Sequence, residues 1–305
     1  MDKSPGRSQV GATSSESALD VCGFSPAEGE IQTYEQMGYY ITPRPILPPD
    51  LIARAIDGVE RYYCGERDWS LPISGGFLDW RPEHGGLLRI NDYVSLQNEG
   101  LHALCTYGAI ASIAGRLARA RAIRLFHDQL ITKMPSSDGA TAVGWHVDKA
   151  YWRACTSEKL LTAWIPLVDI DENSGGIAFV SESHRQPLQD WMTTFNDQNL
   201  DQLAERAQKA GITMRAVTPT VPLGHVSFHH GRTIHGSKPN RGHQPRIALT
   251  VHFQDQDNRY QLVADSHGRP VLHVNDLLCR RGPDGLPDYA DPDVCPTLWS
   301  EEDPR

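Results

Sequence analysis

The stretch 245-PRIALTVHFQD-255 predicts a β-strand, because it is rich in the β-branched and aromatic residues that favour strands. Gly, Pro, Asp and Asn turns separate it from four segments of similar composition: AIRLFHDQLITKM at 122–134, KLLTAWIPLVDI at 159–170, GIAFVSE at 176–182 and GHVSFHH at 224–230. This succession of strands predicts an antiparallel sandwich or barrel with helices packed outside it.

Helical spacing of apolar residues occurs mainly before these strands. It predicts helices within 30–37, where Gly38 ends the helix, and within 47–65, 101–122 and 198–211. Residues 68–97 mix Trp, Gly, Pro and charges without a steady period, which indicates either a loop that lines a pocket or an ordinary surface loop. We expect one domain over residues 28–305 with an irregular segment after about residue 256, and a disordered tail over 1–27, where few large apolar groups offset the entropy of ordering.

Composition limits the class of partner. The net charge of −9 and the pI of about 5.8 argue against nucleic acid and anionic membrane surfaces, which need clustered Lys and Arg. No segment has the apolar character of a signal peptide or of a bilayer-spanning helix, so we expect a cytoplasmic protein that acts on a small molecule. The six cysteines are scattered without a C-x-x-C pair, and we expect reduced thiols, with disulfides as the alternative.

A candidate metal site begins in 144-GWHVDKAYW-152. In an extended chain, His146 and Asp148 point to the same side about 7 Å apart, so an imidazole and a carboxylate face one position. A third ligand is available in 225-HVSFHHGRTIHGSKPNRG-242, which contains His225, His229, His230 and His235. Two histidines and one carboxylate are the ligand set of non-haem Fe(II) oxygenases. For H-x-D alone, a surface hydrogen-bonded pair is the competing interpretation.

An arginine that is expected to be buried follows this region in the sequence. Arg246 stands 11 residues after His235, at the start of a strand whose apolar character predicts burial. A buried guanidinium without an anion is costly, so Arg246 pairs either with a protein carboxylate or with the carboxylate of a ligand. Its planar fork suits a carboxylate, which it can bind at two points.

Together these pieces resemble the phytanoyl-CoA dioxygenase family of Fe(II)/2-oxoglutarate oxygenases. The likeness runs from about residue 30 to 255 and rests on FHDQLITKMP at 126–135, WHVD at 145–148, LTAWIPLVDIDENSGGIAFVSESHR at 161–185 and GHVSFHHGRTIHGSKPNRGHQPRIALTVHF at 224–253. The resemblance implies a mainly β fold with flanking helices around a double-stranded β-helix (jelly-roll, cupin-like) core.

Carried over residue by residue, the resemblance implies a role for each matching position. Fe(II) is bound by His146, Asp148 and His235, so His235 is selected among the four nearby histidines. Arg246 holds the distal carboxylate of the cosubstrate 2-oxoglutarate with help from the hydroxyl of Ser237. Three further positions are expected around the same cosubstrate: Trp164, Gln129 and Lys133. A core aromatic is the alternative for Trp164, and solvent-facing strand positions are the alternative for Gln129 and Lys133.

The activity implied is oxidation of a C–H bond of a small organic metabolite or natural-product intermediate by O2, with release of succinate and CO2; hydroxylation is the expected outcome. Asp148 argues against the related halogenases, which have a small residue at that place. Desaturation, epoxidation, cyclisation and epimerisation would use the same metal ligands. The predicted substrate-binding residues are Tyr151, Trp152, Trp80, Arg89 and Phe77, with plain packing as the alternative for each.

Two other classes of function fit part of the pattern. A cupin-type metal isomerase or hydrolase would use the histidines without needing Arg246 for 2-oxoglutarate. A non-catalytic barrel would keep the fold as a binding module.

Overall fold

Two antiparallel sheets make up the core of the computed structural model, which describes residues 25–187, 191–265 and 267–303. The predicted disordered tail lies outside the described residues except for residues 25–27. The large sheet has seven strands: β1 Tyr39–Ile41, β2 Leu88–Asp92, β3 Ala122–Lys133, β5 Leu161–Pro166, β8 Ser227–His230, β10 Arg246–Asp255 and β11 Thr297–Ser300. The small sheet has four: β4 Val143–His146, β6 Ile177–Val180, β7 Ala216–Val217 and β9 His235–Ser237.

Seven α-helices lie in the described part of the chain: α1 Glu28–Met37, α2 Pro49–Tyr63, α3 Glu99–Cys105, α4 Gly108–Leu117, α5 Asp148–Tyr151, α6 Leu200–Lys209 and α7 Asn275–Leu278. As predicted, α1 ends at Gly38, which has a φ of 83° that glycine adopts without strain. The helix predicted over 101–122 is divided into α3 and α4, because Tyr107 has extended backbone. None of the described helices is long and apolar enough to cross a bilayer.

The two faces of the large sheet differ in chemistry. In β10, Leu249, Val251 and Phe253 face outward into a core shared with residues of α1 to α4. Each such buried side chain contributes roughly 1.5–3 kcal/mol to folding. The alternate residues Thr250 and His252 face the interior between the sheets. The mainly β, jelly-roll fold with flanking helices is therefore confirmed, and in β10 the face that carries Thr250 and His252 lines the interior.

A β-bulge changes the register between β3 and β10. His252 pairs with His127, but Phe253 pairs with Leu125, so Phe126 is an extra residue on β3. Phe126 and His127 consequently approach the same ring, that of His273, with centroids 4.7 and 5.5 Å from it. Beyond the bulge, β3 turns alternate side chains toward the interior as far as Lys133.

The small sheet is closed on its outer side by α6. Trp145 and Val180 on that side pack with Leu203 and Ala207 of the helix. The amphipathic insertion predicted over 198–211 thus forms a helix whose apolar face covers the sheet that carries His146.

Several strands lie in regions where no strand was predicted, among them β2 and β11 of the large sheet. β2 falls within 68–97, and β11 falls within the irregular segment after residue 256. Both pair with β3, β2 near its end and β11 near its start. Neither segment has a clear alternating pattern of its own, so the long neighbouring strand rather than local sequence determines their conformation.

Candidate metal centre and its cavity

Two predicted ligands lie at the junction of β4 and α5. His146 is the last residue of β4, Val147 has extended backbone with φ −129° and ψ 122°, and Asp148 begins α5. The extended residue between them turns both side chains to the same side, as the H-x-D spacing predicts. A Cβ on Gly144 would collide with the backbone carbonyl oxygens of Thr194 and Asp197, so the loop after residue 191 packs directly on the strand that carries His146.

The third predicted ligand lies on the neighbouring strand. His235 is the first residue of β9 and pairs with His146 of β4. Their Nε2 atoms lie 3.5 Å (His235) and 3.7 Å (His146) from Oδ1 of Asp148. The ligand atoms of all three residues lie within 4.8 Å of one another, and no other group of three His, Cys, Asp or Glu in the described part of the chain does so.

Both imidazoles are prepared to act as metal ligands. Nδ1 of His146 donates to the carbonyl of Gly144 at 2.8 Å, and Nδ1 of His235 donates to that of Thr233 at 3.0 Å, which leaves each Nε2 with a free lone pair. Burial, together with the neighbouring imidazoles, lowers the pKa of His146 to about 3 and that of His235 to about 4. Both rings are therefore neutral at pH 7.

Asp148 supplies the negative charge of the group. Burial opposes its ionisation, but the neighbouring His235 and a hydrogen bond from His229 outweigh this effect and hold the pKa of the carboxyl well below its ordinary value. Two neutral imidazoles and one carboxylate suit a divalent first-row ion, and three protein ligands leave positions open for other molecules.

The three residues line a cavity that also contains Arg246. This arginine is 3% exposed, and one of its nitrogens, Nη1, donates to the carbonyl of Ile131 at a long 3.3 Å. Its Nε is buried without a partner. Burial lowers the pKa of Arg246 to about 9, so the guanidinium is charged at pH 7.

A buried lysine lies beside this arginine. Lys133 pairs with Arg246 in the β3–β10 register, and its Nζ donates to the hydroxyl of Ser237 and to the carbonyl of Lys238 at 2.8 Å. Burial and the charge of Arg246 hold the pKa of Lys133 well below its ordinary value. Neither side chain forms an ion pair with a carboxylate of the described residues, so the charge of Arg246 is unbalanced on this side of the cavity.

The other predicted cosubstrate residues lie around the same space. Ser237, Trp164 and Gln129 line the cavity, whereas Lys133 stands behind Ser237. The Trp164 ring centre is 5.8 Å from Cζ of Arg246. The amide nitrogen of Gln129 donates to Asp92 at 2.8 Å, so only the remaining part of this side chain is available to a ligand.

The predicted substrate residues do not line this cavity. Tyr151 and Trp152 stand behind it: the Tyr151 ring is 6.2 Å from that of His146, and the Trp152 ring is 4.8 Å from that of His252. Phe77 and Trp80 line a separate open groove. The guanidinium of Arg89 lies 4.3 Å from the centre of the Trp80 ring.

Sequence reasoning did not single out Thr162, Thr250 and Phe195, which also line the cavity. The first two have a signal in the sequence, because Thr162 alternates with Trp164 on β5 and Thr250 pairs with Trp164 from β10. Phe195 comes from the loop before α6, where no periodicity exists; its ring lies 5.0 Å from that of His146.

The four candidate histidines of residues 225–242 have separate places. His235 is near Asp148 as a candidate ligand, and Nε2 of His229 donates to Asp148 Oδ2 at 3.2 Å. His225 and His230 do not line the cavity; Nδ1 of His225 contacts the carbonyl of Thr42 at 2.7 Å.

Comparison with known proteins agrees with this geometry. The family model described as phytanoyl-CoA dioxygenase (PhyH) matches residues 34–248. The peroxisomal phytanoyl-CoA dioxygenase of Rattus norvegicus is 24% identical over 217 residues, which are 70% of this chain and 63% of the rat protein, less than two thirds of that relative's length.

Among solved structures, the non-haem alpha-ketoglutarate-dependent epimerase SnoN from nogalamycin biosynthesis matches with a TM-score of 0.64 and 24% identity, over 92% of this chain and 100% of that one. EctD from S. alaskensis, solved with 2-oxoglutarate and 5-hydroxyectoine, matches with a TM-score of 0.61 and 17% identity over 78% and 79%. These two likenesses concern the fold. Since the family model covers more than half of the residues, the chain belongs to the phytanoyl-CoA dioxygenase family.

Proposed function

We propose that this protein is an Fe(II)/2-oxoglutarate-dependent dioxygenase that hydroxylates a C–H bond of a small organic molecule. In the overall reaction, substrate, 2-oxoglutarate and O2 give hydroxylated substrate, succinate and CO2. Family membership supports the class of enzyme.

The observation that carries this proposal is the presence of two complementary features in one cavity. One is a group of two neutral imidazoles and a carboxylate with converging ligand atoms. The other is Arg246, a buried cation that has, among the described residues, neither a carboxylate partner nor a full set of hydrogen-bond partners. A metal hydrolase needs the first feature only, whereas a dicarboxylate that chelates the metal at one end and meets a guanidinium at the other needs both.

Fe(II) fits the residues on chemical grounds. His146, Asp148 and His235 would hold it through two nitrogens and one oxygen, a set that favours non-haem Fe(II) over the thiolate-rich sites of structural zinc. Bound iron would supply the activation of O2 and the oxidation of the substrate, with 2-oxoglutarate as the co-oxidised partner.

The chain's own contribution is binding, orientation and exclusion of water. Arg246 would bind the distal carboxylate of 2-oxoglutarate, with the Ser237 hydroxyl beside it and Lys133 behind, where its Nζ donates to that hydroxyl. Trp164 would limit the position of the carbon chain between the two ends. Since all of these groups are buried, their attraction for an anion is weakened by solvent much less than at a surface.

An aromatic groove outside the metal cavity is the candidate for recognition of the substrate. We propose that Phe77, Trp80 and Arg89 recognise a part of the substrate remote from the reacting carbon, since they form an aromatic groove with a cation stacked on it. Ile90 of the same segment pairs with Ile131, which lines the metal cavity, so the segment runs alongside that cavity.

The fate of the substrate needs a direct test, because SnoN is described as an epimerase whereas EctD was solved with a hydroxylated compound. The purified protein is incubated with Fe(II), 2-oxoglutarate and ¹⁸O₂ over a library of small metabolites, and succinate and substrate-derived products are measured. Hydroxylation predicts succinate and product in equal amounts, with one ¹⁸O atom in the product.

Two outcomes would change the proposal. Succinate formed together with an isomer that lacks ¹⁸O would indicate epimerisation. Absence of any visible charge-transfer band with Fe(II) and 2-oxoglutarate under anaerobic conditions, combined with tight Zn²⁺ binding, would contradict the oxygenase and favour a hydrolase or isomerase. Asp148→Ala serves as the control that releases no succinate.

A further inference from the structure

One row of three side chains crosses the large sheet directly behind the Asp148 carboxylate. β8, β5 and β10 are neighbours in the sheet, and their register pairs Thr162 with His229 on one side and with His252 on the other. The row therefore consists of His229, Thr162 and His252. None of these residues belongs to the group formed by His146, Asp148 and His235, yet all three line the cavity.

The row contacts one oxygen of the carboxylate. Thr162 Oγ1 donates to Asp148 Oδ2 at 2.7 Å, and His229 Nε2 donates to the same oxygen at 3.2 Å. The other oxygen, Oδ1, is the one that lies nearest to Nε2 of His146 and of His235. The two carboxylate oxygens are thus divided between the sheet and the candidate metal position.

The direction of the Thr162 hydrogen bond is fixed by its own neighbour. The hydroxyl has one proton, which it gives to the carboxylate, because a carboxylate can only accept. Nδ1 of His252, 2.8 Å from Thr162 Oγ1, must then be the protonated nitrogen that donates to the hydroxyl. The His252 ring is held in this orientation between Trp152, at 4.8 Å, and a parallel His127 ring at 5.2 Å.

We propose that Thr162 is a positioning residue that commits Asp148 to bind the metal through Oδ1 alone, with His252 orienting the threonine hydroxyl. A carboxylate can bind an ion through one oxygen or through both, and the second mode occupies a position that a cosubstrate needs. Two hydrogen bonds on Oδ2 hold that oxygen to the sheet. This inference rests on the proposed metal function of the triad and assigns a role to a residue beyond it.

The experiment measures Mn²⁺ affinity by calorimetry in the full-length protein, with Thr162→Val, which keeps the shape and removes the hydroxyl, and Thr162→Ser, which restores it. Losing a hydrogen bond to a ligating carboxylate typically weakens metal binding about 10–100-fold, so we expect that loss in Thr162→Val and recovery in Thr162→Ser. The anaerobic charge-transfer band of Fe(II) with 2-oxoglutarate should shift in Thr162→Val and return in Thr162→Ser.

Thr132→Val is the matched control. Thr132 is equally buried, at 1% exposure, and its hydroxyl accepts from Tyr63 at 2.8 Å rather than contacting the triad. Its replacement should lower thermal stability without changing Mn²⁺ affinity. Wild-type affinity in a folded Thr162→Val variant would overturn the proposal.

Should Thr162→Val not fold, the pair His252→Asn and His252→Leu decides the matter. Asparagine can present an N–H near the position of Nδ1, so it should keep Mn²⁺ affinity closer to wild type than leucine does. Equal affinities in the two variants would contradict the role assigned to this hydrogen-bonded row. Failure of the wild-type protein to bind Mn²⁺ or Fe(II) would instead contradict the proposed function, so the two failures are distinguishable.

Discussion

The two sides of the cavity differ in how far the protein satisfies their charged groups. On the triad side, the Asp148 carboxylate accepts hydrogen bonds from Thr162 and His229, and both candidate ligand imidazoles donate to backbone carbonyls. On the cationic side, Arg246 makes one long hydrogen bond, its Nε has no partner among the described residues, and burial together with the charge of Arg246 holds the pKa of the adjacent Lys133 well below its ordinary value.

This difference indicates a division of labour within one cavity. The triad side is oriented by protein groups before a metal arrives, which limits the reorganisation that binding requires. The cationic side carries an electrostatic cost that only an anion removes. The site therefore requires an anionic ligand to balance the charge of Arg246. Separate variants test the triad side and the cationic side.

The largest expected effect is on the triad side. Replacing His235 by alanine removes a ligand, which should weaken Mn²⁺ binding by more than the ~100-fold that loss of an outer partner can cost. Calorimetric titration measures this loss. His225→Ala is the control, since His225 is outside the cavity and contacts the carbonyl of Thr42. Unchanged Mn²⁺ affinity in His235→Ala would show that the triad does not bind the metal.

On the cationic side, Arg246→Met should act in opposite directions on binding and on stability. Affinity for 2-oxoglutarate should fall about 30-fold or more, since truncating a buried charge pair costs roughly 2–5 kcal/mol. The ligand-free protein should melt at a higher temperature, because an unpaired buried charge is removed. Mn²⁺ affinity should stay near wild type.

Arg124→Met is a control with a different expected result. Arg124 is also buried, but its Nη2 donates to the carbonyls of Asp255 and Asn258, each at 3.0 Å. Its loss should lower the free energy of unfolding by about 1–3 kcal/mol and leave 2-oxoglutarate affinity intact. A lower melting temperature in both variants would mean that Arg246, too, is satisfied within the protein.

The smallest effect on the cavity is expected from the aromatic groove. Phe77→Ala should change neither Mn²⁺ nor 2-oxoglutarate affinity, because Phe77 lines the groove and not the cavity. In the proposed role it should raise the KM for substrate in the succinate-release assay. A loss of 2-oxoglutarate affinity like that of Arg246→Met would instead indicate that the groove is part of the 2-oxoglutarate site.

Sequence patterns were sufficient for the parts of the site that depend on local geometry. The spacing of His146 and Asp148 places both on one side of an extended residue, and the start of an apolar strand predicts the burial of Arg246. The choice of His235 among four histidines needed the family resemblance, because spacing alone treats them alike. Five strands, β3, β5, β6, β8 and β10, were also predictable, since their composition differs from that of the turns.

Features that depend on register or on distant packing were not predictable. The role of Thr162 arises from its place between His229 and His252, which are 67 and 90 positions away along the chain. The separation of Phe77 from the metal cavity depends on how residues 68–97 pack around β2, a strand stabilised by its partner. No local pattern contains this information.

The extra residue on β3 makes the chemistry of this enzyme family member sensitive to chain length as well as to composition. Deleting one residue between Ile123 and His127 could restore straight pairing at the cost of Phe126, leaving His127, Gln129 and Lys133 in place. Deleting one residue after His127 would exchange inside for outside at every following position, sending Lys133 toward the helices. A deletion before His127 would thus change only local packing. A deletion after His127 would remove the side chains proposed to bind the cosubstrate from the cavity.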